Sequence, residues 1–323
     1  MAAPTNEELG IIEKFRERLK DLELTEEQQS NMQLIRWLRA REYKLDQSEE
    51  MLRKSLKWRE QNNMSDILNW EPPEMVTKVF PVDADGIDNA NSPVVILPMG
   101  HYDLRGLIQA GYYKETIRHV DKILETATEK MKGRLTSEGV PVTQFTCIFD
   151  MDQLGMKTVG SFMVIRLIKE VIEHFEDHYP ETFRQCFIIN SSRIFQMLFA
   201  IVKPLLSRRT YEKIQILTIP SKWKPIILAE IPVNQLPECY GGTAWSNLHQ
   251  LLGYGMKGDS LIELTIPAGE VFKVSQKISE EKCLLNWNIT IEHYDIDFYV
   301  TFDGKEIVPK TRLQSPQVQA DKV

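Results

Sequence analysis

Leu9, Ile12, Leu19 and Leu22 recur at helical spacing near the start of the chain, and similar stripes continue to about residue 70. The pattern predicts three short amphipathic helices, with Asn6 as the first cap and capping boxes at Thr25/Gln28 and Asp46/Glu49. The polar stretch "MSDILNWEPPE", with Pro72-Pro73, marks a boundary. Beyond residue 80, short apolar runs alternate with helical periods. "PVVILP" (93–98), "QFTCIFDM" (144–151), "QCFIIN" (185–190) and "KIQILTI" (213–219) read as strands. Between them, Ile117, Val120, Leu124, Ala127 and Met131 fall on one helical face, and residues 157–175 read as a second helix, apolar on most sides. Strands separated by helices predict a largely parallel sheet with crossover helices. After "LPECYGGTAW" the helical periods stop. "SLIELTIPAG", "EVFKVSQKI", "CLLNWNITIE" and "DIDFYVTFDG" then predict a small antiparallel domain, and the polar "KTRLQSPQVQADKV" predicts a disordered tail. One segment breaks the amphipathic rule. From Ile194 to Leu206 the only polar side chains are Gln196 and Lys203, so a helix there is apolar all round.

The chain has 323 residues, 42% of them hydrophobic, enough for sizeable cores and two or three domains. Its formal net charge of -7 argues against general nucleic-acid binding, which needs a broad basic surface. "MAAPTNEELG" has neither the charged start nor the apolar core of a secretory signal, so a cytoplasmic location is expected. Cys147, Cys186, Cys239 and Cys283 are scattered singly and are expected to be reduced thiols. No run approaches the roughly 18 apolar residues of a spanning helix, so membrane contact is expected to be peripheral and transient.

Several motifs suggest chemistry without completing it. Gly253, Gly255 and Gly258 fit a nucleotide-loop spacing, but a linker precedes them and a strand follows; a turn explains them better. Asp150 and Asp152 end an apolar strand at the spacing of aspartyl-phosphate enzymes, yet the strand end "ILTIPSK" supplies no further acid for magnesium. His174 and His178 share a helical face but have no identifiable third ligand, and a helix C-terminus accounts for both. No catalytic residue, metal or cofactor is therefore expected. Two basic groups remain. Arg36, Arg39, Arg41 and Lys44 read equally as a solvated face or as functional. Lys203, Arg208, Arg209 and Lys213 stand beside the all-apolar segment, the pattern of a protein that meets a membrane and handles an amphipathic ligand.

Read together, "LIRWLRAREYKLDQSEEMLRKSLKWRE", "VDADG…SPVVILPMGHYDLRGL", "HYPETFRQCFIINSSRIFQMLFAIVKPLLSRRTYEKIQIL" and "IPVNQLPECYGGT" resemble the CRAL-TRIO (Sec-fourteen-like) lipid-transfer family. Within it the chain is most similar to the branch of supernatant protein factor and the tocopherol-associated proteins, which carry a C-terminal GOLD-type β domain. The resemblance implies a helical bundle over residues 1–75, an α/β lipid-binding domain over 76–245, and a GOLD-like domain over 256–310 that looks incomplete, followed by the polar tail 311–323. It implies one bound lipid, such as phosphatidylinositol, tocopherol or squalene, behind a mobile gate helix containing Phe195, Leu198, Phe199, Val202, Pro204, Leu205 and Leu206. It places headgroup contacts on Glu181 of the Tyr179-Pro180-Glu181 motif and on Lys213, with Arg39 as a third candidate, and turns Lys203, Arg208 and Arg209 toward the membrane. Ser191-Ser192 depart from the Ala-Pro pair usual before the gate, and "DGIDNANSPV" lengthens the usual "DGRPV" turn. The implied activity is a non-enzymatic lipid carrier; the alternative is a lipid-sensing adaptor whose β domain recruits a protein partner.

Overall fold

The computed structural model describes residues 1–248, 265–273, 286–290, 294–314 and 318–322. It divides into two compact units, Met1–Leu248 and His249–Val323. The first unit opens with α1 (Asn6–Arg18), α2 (Asn31–Ala40) and α3 (Leu45–Gln61), followed by α4 (Glu74–Val79). Ile12, Phe15 and Leu19 of α1 pack with Leu34, Ile35 and Leu38 of α2 and with Leu52 of α3, so three amphipathic stripes close one small core.

The helix starts differ from their sequence reading. Thr5, not Asn6, caps α1: its hydroxyl accepts from the Glu8 amide at 3.2 Å, while the Glu8 carboxylate accepts from the Thr5 amide at 2.8 Å. The Thr25/Gln28 box forms, but it closes a turn, and Ser30 caps α2. Lys44 precedes α3 without a side-chain cap bond; Asp46 and Glu49 instead receive Arg18 of α1.

The sheet comes next: β1 (Val94–Leu97), α5 (Leu104–Gln109), α6 (Tyr113–Met131), β2 (Phe145–Asp150), α7 (Met156–Val159), α8 (Phe162–His178), β3 (Phe183–Ile189), α9 (Arg193–Val202), α10 (Arg208–Tyr211), β4 (Ile214–Ile216) and α11 (Pro220–Glu230). The strands pair in sequential order, all parallel. β1 and β2 are buried on both faces, as a sheet covered by crossover helices requires. The helix expected over 157–175 is two helices. Gly160 ends α7 and the Ser161 hydroxyl caps α8, so this polar pair restarts the turn.

Residues 1–75 and the sheet form one unit because polar bonds knit them. Arg59 of α3 forms a bidentate ion pair with Glu125 of α6, at 2.7 and 3.0 Å, and Arg36 of α2 donates to the Pro180 carbonyl at 3.0 Å.

In the second unit β5 (Asn286–Thr290) pairs antiparallel with β8 (Val318–Lys322), and β6 (Asp295–Phe302) with β7 (Lys305–Gln314). The tail expected to be disordered is thus largely strand in its described residues. Arg312 secures it by bonding Asp295 at 2.9 Å and Asp297 at 3.0 Å across the ladder. The strand expected in "SLIELTIPAG" is absent from its described part, 265–269, as is the one in "EVFKVSQKI" over 270–273. The remainder of both, the glycines at 253, 255 and 258, and Cys283 lie outside the described residues.

Candidate functional site

Glu181 stands between α8 and β3 with φ at +60°, a left-handed conformation that strains a side-chain-bearing residue. Its surroundings hold it there. Buried Gln144 donates from one amide nitrogen to the carbonyls of Glu181 (2.8 Å) and Phe183 (3.0 Å). Just before it, the Pro180 carbonyl takes Arg36, and the Tyr179 hydroxyl donates to Glu125 at 2.8 Å. The Glu181 carboxylate then receives two cations, Lys213 Nζ at 2.8 Å and Arg209 Nε at 2.6 Å, with its own side chain only 5% exposed. Burial pushes this carboxyl up, but Lys213 and Arg209 outweigh burial and hold it below the ordinary glutamate value. Arg36 is drawn down to about 10 by burial, partly offset by Glu181 and Glu125.

The segment between β3 and Lys213 contains the all-apolar stretch. Ser192 caps α9 by accepting from the Phe195 amide at 3.3 Å. Phe195, Leu198 and Val202 face inward and join Phe175, Phe183, Cys147 and Cys186 in the main core.

 Val202 thus closes the inner face one turn beyond Leu198. Phe199 is half-buried, its ring 5.5 Å from Phe195 and 6.3 Å from Tyr211. Pro204 lies in a 3-10 turn, Lys203–Leu205, that ends the helix and leads to half-buried Leu205 and Leu206. On the outer face Met197 is 55% and Ile201 41% exposed. α7 packs beside α9, and Met156, Phe162 and Met163 at the α7–α8 junction are also exposed. An apolar helix therefore buries one face in the main core and offers the other to the outside.

The CRAL/TRIO domain model matches residues 77–242, half of the chain. The chain belongs to the CRAL/TRIO family. It is similar to protein real-time of Aedes aegypti, at 25% identity over 91% of this chain and 49% of that protein. It is also similar to a CRAL-TRIO domain-containing protein of Caenorhabditis elegans, at 24% identity over 85% of this chain and 41% of that one. The chain thus spans half or less of the length of these relatives. The crystal structure of Sfh5 superposes with a TM-score of 0.56 at 17% identity, covering 69% of this chain and 84% of that one, a likeness of fold.

In this CRAL/TRIO chain the basic candidates separate. Arg39 does not join Glu181 and Lys213: it grips Glu8 of α1 at 2.8 and 2.9 Å and donates to the Ala2 carbonyl. Its guanidinium hydrogen bond, together with bonds from the Thr5 amide and Tyr43, holds Glu8 down at about 2 against the effect of burial. Arg209, expected to face a membrane, turns inward to Glu181. Lys203 lies over the Tyr211 ring at 4.5 Å, and Arg208 is 86% exposed beside Glu212.

Asp150 is structural in its surroundings, accepting from the Asp152 amide, Asn190 and Tyr240, and burial raises its carboxyl. His178 stacks on Trp58 at 3.9 Å, and His174 meets Asp121 at 3.2 Å. Among the described residues no group of acids, histidines or cysteines could hold a metal ion, and none of the helices is long and apolar enough to cross a membrane. Cys147 and Cys186 are buried free thiols at paired positions of β2 and β3. The sequence reading missed Gln144 and Asn190, and it left Arg36 undecided between surface and function; only its one-turn spacing from Arg39 marked it.

Proposed function

We propose that this chain binds one hydrophobic lipid under α9 and exchanges it at membrane surfaces, with α9 and the turn after it as the gate. The observation that carries this reading is the two-sided apolar character of α9, with Phe195, Leu198 and Val202 inward and Met197 and Ile201 outward. A lipid tail of about sixteen methylenes, at ~0.8 kcal/mol each, costs on the order of 10 kcal/mol to expose to water. A closed apolar chamber removes most of that cost, and an outer face that rests on a bilayer lets the gate open without exposing the inner one. The exposed Met156, Phe162 and Met163 extend the same surface. For an anionic headgroup such as that of phosphatidylinositol, Lys213 supplies the phosphate partner and Glu181 an acceptor for hydroxyls. A neutral ligand such as tocopherol or squalene would leave the two paired with each other. The two antiparallel ladders of the second unit support a GOLD-type domain, and the carrier reading fits a cytoplasmic protein that visits membranes.

Mass spectrometry of the organic extract of purified protein tests the proposal. One hydrophobic lipid per chain is expected; protein that yields no lipid, and takes up none from vesicles of phosphatidylcholine and phosphatidylinositol, overturns it.

A further inference from the structure

Gating does not explain the way the chain leaves β3. Asn190, the first residue after that strand, has φ at +53°, a left-handed conformation that asparagine tolerates better than most residues. Its side chain is gripped at both ends. Trp223 of α11 donates its indole N–H to Asn190 Oδ1 at 3.0 Å, and Asn190 Nδ2 donates to Asp150 Oδ1 at 2.8 Å. The amide orientation follows from chemistry, since an indole N–H only donates and must therefore face the amide oxygen. Asp150, at the end of β2, is itself fixed by the Asp152 amide at 2.9 Å and the Tyr240 hydroxyl at 3.2 Å. Trp223 and Tyr240 are each 2% exposed. The "CYGG" turn makes room for Tyr240, because Gly241 has φ at +98° and a Cβ on Gly242 would lie 1.8 Å from the Leu236 carbonyl oxygen. One residue on, the Ser191 hydroxyl shares a hydrogen bond with Thr218 at 3.0 Å. α9 begins two residues later.

We infer that Asn190 is the positioning residue of the gate's pivot: its clamped amide fixes the N-terminal root of α9, so that opening swings the far end of the helix about Ser191–Ser192. This rests on the gate reading above. The two roots of the 190–213 segment differ in kind. The N-terminal one is held by a neutral amide between buried partners, and the C-terminal one by ion pairs of Arg209 and Lys213 with half-exposed cations.

Hydrogen exchange on the full chain, comparing wild type with Asn190→Gly, Trp223→Phe and the double variant, tests the inference. Asn190→Gly keeps the left-handed backbone available and removes both side-chain bonds, while Trp223→Phe removes one donor and leaves the backbone untouched. Expected is about tenfold faster exchange of the α9 amides in Asn190→Gly, a smaller effect in the same direction in Trp223→Phe, and no further gain in the double variant. β2 and β3 should keep their wild-type protection. Unchanged α9 exchange, loss of protection spread equally over β2 and β3, or full additivity of the two substitutions would each overturn it. Transfer of fluorescent phosphatidylcholine between phosphatidylcholine vesicles, run beside it, separates the two readings. A wild type that moves no lipid removes the gate, whereas a wild type that transfers lipid with α9 exchange insensitive to Asn190 removes only the pivot.

Discussion

Arg36 and Arg39 lie one turn apart on α2 and serve different neighbours, one the Tyr179-Pro180-Glu181 loop and the other Glu8 of α1. Removing Arg39 strands a nearly buried carboxylate, a change that costs about 3 kcal/mol. Arg39→Ala should therefore lower the melting temperature by several degrees while leaving the ratio of phosphatidylinositol to phosphatidylcholine transfer unchanged; a changed ratio would restore Arg39 to the headgroup site. The sequence motif brought Glu181 and Lys213 together, because a family pattern records tertiary neighbours. It could not assign Arg209 or Arg39, whose long side chains reach either of two surfaces depending on the packing of the elements beneath them. Gln144 and Asn190 left no mark either. Each is a single polar residue at the end of an apolar run, and its role exists only once the strands are side by side.

At the scale of elements, the apolar runs were readable as strands because parallel strands are buried on both faces. The helix expected over 157–175 was divided by Gly160-Ser161, since a hydrophobic stripe carries no record of a short restart. For α9 the sequence revealed that both faces are apolar but not which side meets the core. The outer residues are Met197 and Ile201, so Ile201→Asp should weaken binding to anionic vesicles several-fold and slow lipid transfer with little change in melting temperature. Vesicle sedimentation checks this, and undiminished binding would remove α9 from the membrane contact. The tail was misread because composition keeps no record of pairing: Leu313 turns away from solvent on β7, which pairs with β6, and β8 finds its partner in β5.

Across the whole first unit, the helical bundle and the sheet domain meet at Trp58, which stacks on His178 and lies edge-on to His174. Burial, the neighbouring His174 and Arg59 together push His178 down to about 4 from its ordinary 6.5. As pH falls through that window the unfolded chain takes up a proton that the folded one refuses, so folding weakens. His174 acts in the opposite sense: burial lowers it, but Asp121 outweighs burial and raises it, so its contribution is present at low pH and lost as pH rises through its raised value. His178→Phe should therefore lose less stability than wild type between about pH 7 and about pH 5, read as the change in melting temperature; equal losses would show that the stack does not sense protons. This interface was invisible in the sequence, where the two histidines suggested a helix terminus or a metal and Trp58 suggested nothing. The unlike fastenings of the proposed gate bear on what could open it. Dissolved salt, which screens charges more than about 8 Å apart, has little hold on contact pairs at a buried carboxylate, but an anion that docks there competes directly with Glu181 for Arg209 and Lys213. No charge competes for the Asn190 amide, so on the proposed reading an arriving anionic headgroup is itself the key to one end of the segment and leaves the other locked.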